Sequence, residues 1–319
     1  MTEQEIRNNV PFIQTNDTLS MLSNSLSGAL VIKIKRDDIS FFLKIVELGE
    51  DSLGRLRKII EIYEQGTIKS LQIIDCGIIE EYSKYYCIFK WIEGEPLNYL
   101  YGKLSKQDYY NFGHKIGEDF RKINEVVSRY ESFIKKYDIS ARAKGTADLF
   151  KKIYQSNLPL YSNIMSEDYV EKLISRMLDL SKTFKMADKV YIHGDMHPQN
   201  IMLNNRELYI IDCETLSIDY FAMNFRWSIG AAFDNEENIG FNLGVIDGFY
   251  NGTPPENFYN QLMFTLIHKF FEYTREFYDK KDLNNVINCM KKYKYLFDNI
   301  NFNLDDNNFL INNADLKTE

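Results

Sequence analysis

Residues 190–214, VYIHGDMHPQNIMLNNRELYIIDCE, constrain this chain more than any other stretch. An apolar strand pattern at 190–192 leads into a polar loop at 193–200. A short apolar run at 201–203, an Asn204-Asn205 turn and a second strand pattern at 208–211 follow, and the stretch closes on Asp212 and Glu214. Short strands joined by a tight turn put the loop and the closing acids at one end of a hairpin. That gathers Asp195, Asn200, Asp212 and Glu214, hard oxygen donors of the kind a divalent cation takes, with a carboxylate to spare for a proton.

The string His193-Gly194-Asp195-Met196-His197-Pro198-Gln199-Asn200, followed by Ile211-Asp212-Cys213-Glu214, resembles the HGDxxxxN…IDxE/D signature of the aminoglycoside phosphotransferase and choline kinase-like small-molecule kinases. Acids at strand ends and polar loops are common by themselves. Six matching positions at the right spacing outweigh that ordinary reading. The resemblance implies a two-lobed, protein-kinase-like α+β fold with a β-rich N-terminal lobe over residues 1–92 and a helical C-terminal lobe over 93–319. It also implies that Asp195 is the catalytic base, that Asn200 and Asp212 hold Mg²⁺, and that Glu214 is a further acid at the metal. A protein kinase fits less well, because Gly194 stands where such enzymes carry an arginine and Asp212-Cys213-Glu214 is not Asp-Phe-Gly.

Composition agrees with a folded enzyme and narrows its partners. The chain has 319 residues, 45% of them apolar and 14% aromatic, enough for two cores and too hydrophobic for a disordered polymer. A net charge of −8 argues against nucleic acid as a partner, since that needs a basic surface. Cys76, Cys87, Cys213 and Cys289 show no C-x-x-C spacing, so neither a zinc site nor a disulfide framework is indicated. The N-terminus lacks an apolar h-region and no apolar run approaches membrane-spanning length, which leads us to expect a cytosolic protein without a membrane partner.

Strand patterns at 29–34 and 39–46 follow the small-residue loop Ser23-Asn24-Ser25-Leu26-Ser27-Gly28. Small residues let backbone N–H groups approach phosphates, and by the resemblance Ser25, Ser27 and Gly28 cover the triphosphate of ATP or GTP. Lys44 sits between apolar neighbours, where a lysine is costly unless it meets an anion; in the resemblance it grips the α- and β-phosphates. Residues 51–65 read as a helix, on which Glu61 is the candidate acid partner of that lysine. Strand patterns at 71–76 and 85–90 run into Glu93-Gly94-Glu95-Pro96, a break resembling the hinge between lobes. Phe89 and Trp91 there are candidates to line the base, although packing is the more ordinary role for Trp91.

Beyond the hinge the periodicity turns helical. Ser105 with Asp108 makes a capping box, and Tyr109, Phe112, Ile116, Phe120, Ile123 and Val127 recur at steps of three and four. Further helices are expected at 146–154, 167–184, 224–233, 240–250, 256–278 and 283–297. The aromatics between Phe258 and Tyr278 read as core before they read as a pocket wall. Asp219 falls where the resembling pattern has an acid that braces the catalytic loop. Asn224 takes a second position usually held by Asp, and Asn124 carries no assigned role. The acids Glu167, Asp168, Glu171, Asp234, Glu236, Glu237, Glu272 and Glu276, in the segments that shape the acceptor site, would favour a cationic acceptor. The expected activity is transfer of the γ-phosphate of ATP or GTP to a hydroxyl of a small molecule, with an aminoglycoside-like amino sugar ahead of choline, another amino alcohol or a sugar. A catalytically weak kinase-like binding or coat protein is the alternative of a different class.

Overall fold

The computed structural model describes residues 1–24, 29–49, 52–127, 138–185, 188–226 and 235–299. In chain order the elements begin with α1 (Glu3–Asn9), β1 (Thr18–Asn24), β2 (Leu30–Arg36), β3 (Ile39–Glu47), α2 (Ser52–Tyr63), β4 (Lys69–Ser70), β5 (Ile73–Ile79), β6 (Lys84–Lys90) and β7 (Glu95–Pro96). Four helices follow: α3 (Lys106–Val126), α4 (Ile139–Ser156), α5 (Leu158–Tyr161) and α6 (Glu167–Ser181). Then come β8 (Lys189–Ile192), β9 (Ile201–Asn204), β10 (Glu207–Ile210) and β11 (Ser217–Tyr220), and last α7 (Glu236–Tyr250), α8 (Glu256–Asp279) and α9 (Leu283–Asn299). The fold is the α+β architecture expected. Two compact units form, Met1–Leu100 with Gln199–Glu214, and Tyr101–Pro198 with Thr215–Glu319.

In the first unit an antiparallel sheet runs in the order β1-β2-β3-β6-β5. Side chains alternate between its faces. Leu43, Ile45, Tyr86 and Ile88 pack with Ile32, Ile34 and with Ile6 and Val10, the latter two carried on and just past α1. Phe42, Val46, Cys87 and Phe89 pack on the other face with Leu56 of α2. Period two therefore puts Lys44 on the α2 face, between Phe42 and Val46. The short helix α1 lies in a stretch without apolar periodicity; a capping box in which Thr2 and Glu5 satisfy each other's backbone N–H groups starts it.

A second sheet of this unit has the order β4-β10-β9-β7. Its β9–β10 hairpin turns through Asn205 and Arg206, both left-handed at φ 48° and 71°, as a two-residue hairpin turn requires. The strand at 190–192, β8, pairs with β11, a strand the sequence did not announce, and both belong to the second unit.

The second unit is built on α3, which starts at the expected capping box: Ser105 Oγ accepts from Asp108 N at 3.1 Å and the Asp108 carboxylate accepts from Ser105 N at 2.9 Å. Tyr109, Ile116, Phe120 and Ile123 are buried on its inner face. Its other partner is α7, and the two helices touch backbone to backbone. A Cβ on Gly113 would lie 2.0 Å from the carbonyl oxygen of Phe241, and one on Gly244 would lie 2.1 Å from that of Tyr110. Gly117, Gly240 and Gly248 are equally blocked. Glycine every fourth residue keeps one bare stripe on each helix. Elsewhere the unit is filled by aromatics: Phe258, Phe264, Phe270 and Phe271 are buried, and Phe150 stacks on Phe271 at 4.2 Å between centroids. Core was the correct reading for these. The expected helix at 224–233 is replaced, where described, by a 3₁₀ turn at Phe221–Phe225; residues 227–234 lie outside the described residues.

Candidate active site

The first unit holds four of the expected site residues together. Lys44 Nζ lies 2.7 Å from Asp212 Oδ1 and 2.9 Å from Glu214 Oε1, with the lysine side chain 15% exposed. Burial by itself would push the ammonium pKa down; the charges of Glu214 and Asp212 outweigh it and carry it above the ordinary lysine value. The acid that Lys44 meets is thus at the end of β10 and not on α2, where Glu61 is exposed. Asn200 joins the group through its backbone, whose carbonyl accepts from Ile211 N at 3.0 Å, beside Asp212. Asp212 itself has a positive φ of 56°, a conformation that non-glycine residues hold only when their surroundings impose it.

This donor set suits Mg²⁺. Among the described residues no group of three or more His, Cys, Asp or Glu is placed to hold a metal ion by itself. The Asp212 and Glu214 carboxylates are hard oxygen donors of the kind Mg²⁺ takes when substrate phosphates supply the rest of its shell. Glu214 Oε2 is buried and has no hydrogen-bond partner among the described residues, a position a cation would satisfy.

The remaining nucleotide candidates separate. Ser25, Ser27 and Gly28 lie outside the described residues. Phe89 is 1% exposed and its ring packs in the core with Leu56 and Leu71, so the side chain is a packing group. Trp91 lies under the Lys33 ammonium, 3.9 Å from its ring centroid, and lines a cavity of about 580 Å³ together with Tyr63, Lys69, Lys90 and Tyr209.

The second unit holds the loop from His193 to Pro198, with Asp195 in it. Gly194 N donates to Asn224 Oδ1 at 3.1 Å and Met196 N donates to the Asn224 carbonyl at 3.0 Å, so one fully buried residue holds the backbone on both sides of Asp195. Asparagine in place of the usual acid keeps this brace, because an amide oxygen accepts an N–H as a carboxylate does. Asp219 is occupied locally: its Oδ1 accepts from Tyr220 N at 2.8 Å, and burial raises its pKa against the charges of Lys189 and Arg226. Gly194 has φ 83°, and a Cβ there would meet the Thr215 carbonyl at 2.9 Å, which accounts for a glycine before the aspartate. His193 is fully buried with Nδ1 3.3 Å from Thr215 Oγ1, a position that braces the loop.

Three further residues acquire roles that the sequence did not suggest. His197 Nε2 lies 3.2 Å from Asp195 Oδ1, close enough to orient the carboxylate electrostatically. Asn124 clamps β8 from α3: its amide donates to the Tyr191 carbonyl at 3.1 Å and accepts from Tyr191 N at 2.7 Å, two residues before His193. Tyr273 of α8 is pushed up to about 12 by burial, with Asp195 among the charges that add to the shift. Only a periodicity argument run from α3 into the following strand would have marked Asn124. Tyr273 and His197 carry no local signal.

Of the eight acids expected to attract a cationic acceptor, four are ion-paired, and Asp234 lies outside the described residues. Asp168 pairs with Lys172, Glu171 with Lys151 and Glu276 with Lys280. Glu272 is held by Arg142 at 2.9 Å and by the 5%-exposed Lys269 at 2.8 Å. Paired charges cancel at a distance, which leaves Glu167, Glu236 and Glu237 among the described residues to attract a cationic acceptor.

Comparison with known proteins gives the kinship. A search of curated protein sequences finds no match. Among solved structures the chain is similar to the GDP and kanamycin complex of APH(2")-IIia (TM-score 0.66, 12% identity, covering 94% of this chain and 98% of that one). It is also similar to the gentamicin-APH(2")-IIa complex (0.63, 14%, 92% and 96%). A third is choline kinase from Cryptosporidium parvum Iowa II (0.56, 15%, 96% and 98%). Identities this low speak for the fold alone, which is kinase-like. The sequence model of the phosphotransferase enzyme family APH matches residues 25–259, and a match over most of the length decides what low identity cannot: the chain belongs to the APH phosphotransferase enzyme family.

Proposed function

We propose that this phosphotransferase moves the γ-phosphate of ATP or GTP to a hydroxyl of a small molecule in a Mg²⁺-dependent reaction. The observation that carries the reading is the convergence of Lys44, Asp212 and Glu214, with Asn200 tied beside them and a buried Glu214 oxygen left for a cation. Asn200, Asp212 and Glu214 would hold the metal, which supplies charge neutralisation at the phosphate oxygens. Lys44 exchanges its carboxylate partners for the α- and β-phosphates, a swap between anions that leaves its buried charge matched throughout. Asp195 accepts or orients the proton of the acceptor hydroxyl, and its backbone is fixed for this by Asn224. His193 stays a structural residue.

For the acceptor, kinship favours an amino sugar, as in the gentamicin and kanamycin complexes of the similar structures, with choline or another amino alcohol as the second reading. The test is a screen of ATP and GTP against amino sugars, amino alcohols and neutral sugars, with phosphomonoester product detected by ³¹P NMR and the Asp195→Asn protein as blank. Product with one acceptor class and none in the blank supports the reading. Nucleotide hydrolysis that no acceptor stimulates and that the blank retains would overturn it.

A further inference from the structure

Two of the four cysteines are opposite each other on neighbouring strands. In the antiparallel β5–β6 ladder Cys76 is the register partner of Cys87, and Cys87 is in turn the register partner of Lys44 in the β3–β6 ladder. Directly opposed residues of an antiparallel pair project from the same face with Cβ atoms roughly 4.5–5.5 Å apart. Cys76, Cys87 and Lys44 therefore form a row across three strands on the face covered by α2, where both cysteines join the core around Leu56.

The two thiols differ as an attacking and a resolving thiol should. Cys76 is partly exposed and Cys87 is 2% exposed. Arg57 of α2 reaches Cys76, its Nη2 standing 3.6 Å from Sγ. A guanidinium there stabilises the negative charge that a sulfur carries when it acts as nucleophile. Burial, with the neighbouring Cys76 adding to it, pushes the Cys87 thiol up, so the outer thiol is the one that meets peroxide first. Cys213 and Cys289 are buried, and neither lies in a strand opposite another cysteine.

We propose that Cys76 and Cys87 are a dithiol that a hydroperoxide oxidises to a cross-strand disulfide, and that closing this bond weakens the hold of Lys44 on nucleotide. In the first step Cys76 sulfur attacks a peroxide oxygen; the O–O bond breaks, Cys76 becomes a sulfenic acid, and one water or alcohol leaves. In the second, Cys87 sulfur attacks the sulfenic sulfur, the S–O bond breaks, and the thiol proton departs with the hydroxyl as water. Two thiols lose two electrons and the peroxide gains them. A disulfide needs Cβ atoms about 3.8 Å apart, so β6 is drawn toward β5 by about 1 Å at Cys87, the register partner of Lys44. The dithiol stands without reference to the proposed activity; only its effect through Lys44 rests on that reading.

The experiment exposes the full-length protein to hydrogen peroxide without reductant, then measures intact mass, maps linked peptides, and titrates Mg·nucleotide before oxidation, after it, and after dithiothreitol. The expected result is loss of two hydrogens in mass, a single peptide joining Cys76 to Cys87, and nucleotide affinity that falls several-fold and recovers on reduction. Cys76→Ser and Cys87→Ala proteins should give no linked peptide; Cys87→Ala should accumulate oxygen adducts at Cys76, and Cys76→Ser should leave the buried Cys87 largely reduced. Linkage through other cysteines, or sulfinic acid at Cys76 with Cys87 still reduced, would overturn the dithiol. A linked peptide with unchanged nucleotide affinity would overturn the coupling to Lys44. Failure of the untreated protein to bind nucleotide would instead count against the proposed function, while the peptide map still decides the dithiol.

Discussion

Adding one methyl group to Gly244 tests whether the α3–α7 seam holds the second unit together. The new Cβ would lie 2.1 Å from the Tyr110 carbonyl oxygen, whereas real Cβ contacts do not fall below 3.0 Å, so the helices must part by about 0.9 Å. The obstacle is backbone and no side chain can swing away. Overpacking of this kind costs about 3 kcal/mol, because a gap near 1 Å also forfeits much of the dispersion along the seam. Alanine returns about 1 kcal/mol of helix propensity, which leaves Gly244→Ala about 2 kcal/mol less stable. Gly145 is the control: it lies inside α4, and a Cβ there meets nothing within 4 Å. Gly145→Ala should gain about 1 kcal/mol. Thermal melts by circular dichroism should therefore move in opposite directions, down by about 6 °C and up by about 3 °C, for a unit of roughly this size. If Gly244→Ala melts with or above the parent, the helices are not in backbone contact and the reasoning is wrong.

Other outcomes follow from the site and its supports. Asp212→Ala should abolish Mg²⁺-dependent nucleotide binding and Glu214→Ala should only weaken it, measured by calorimetry; unchanged affinity in Asp212→Ala would move the metal elsewhere. Asn224→Ala leaves the buried Gly194 N–H without its acceptor, so kcat should fall about tenfold with KM little changed, while Asn224→Asp, which keeps an acceptor oxygen, should recover most of it; equal kcat in parent and alanine proteins would remove Asn224 from the brace. Burial would raise the Glu272 pKa, but Lys269, joined by His268 once that ring is protonated below about pH 4, takes it down to about 2, so its charge contributes stability that is present above the ordinary value of 4.5 and is lost as pH falls through about 2. Glu272→Gln should then cost roughly 3 kcal/mol at neutral pH, by urea unfolding, and the difference from the parent should shrink between about pH 4.5 and 2. A difference that does not change with pH would show that the Glu272 charge is not what braces α4 against α8.

The parts of the molecule written in short periods were legible. Alternation located β2, β3 and β6 to within two residues, and the Ser105–Asp108 box announced α3 where it starts. The loop at 193–200 and the acids at 212 and 214 stood out through their resemblance to a kinase signature, and the structure brings those two acids to Lys44. Contacts across long loops could not. The pairing of β8 with β11 joins strands with a complete hairpin inserted between them, and no local pattern specifies which strand a four-residue run will choose. The partner of Lys44 lies 168 residues away, so a search confined to α2 could only return the wrong acid. The glycines at 113, 117, 240, 244 and 248 were visible as a spacing of four, but that spacing acquires meaning only when the two helices are known to face each other.

The most direct test of the account separates the chemical step from nucleotide binding at Asp195. With the best acceptor from the screen, Asp195→Asn should lower kcat by about a hundredfold or more while Mg·nucleotide affinity by calorimetry stays within about twofold of the parent. A protein that loses nucleotide binding along with turnover, or one that turns over as fast as the parent, would contradict Asp195 as the base and with it the assignment of this loop as the catalytic centre.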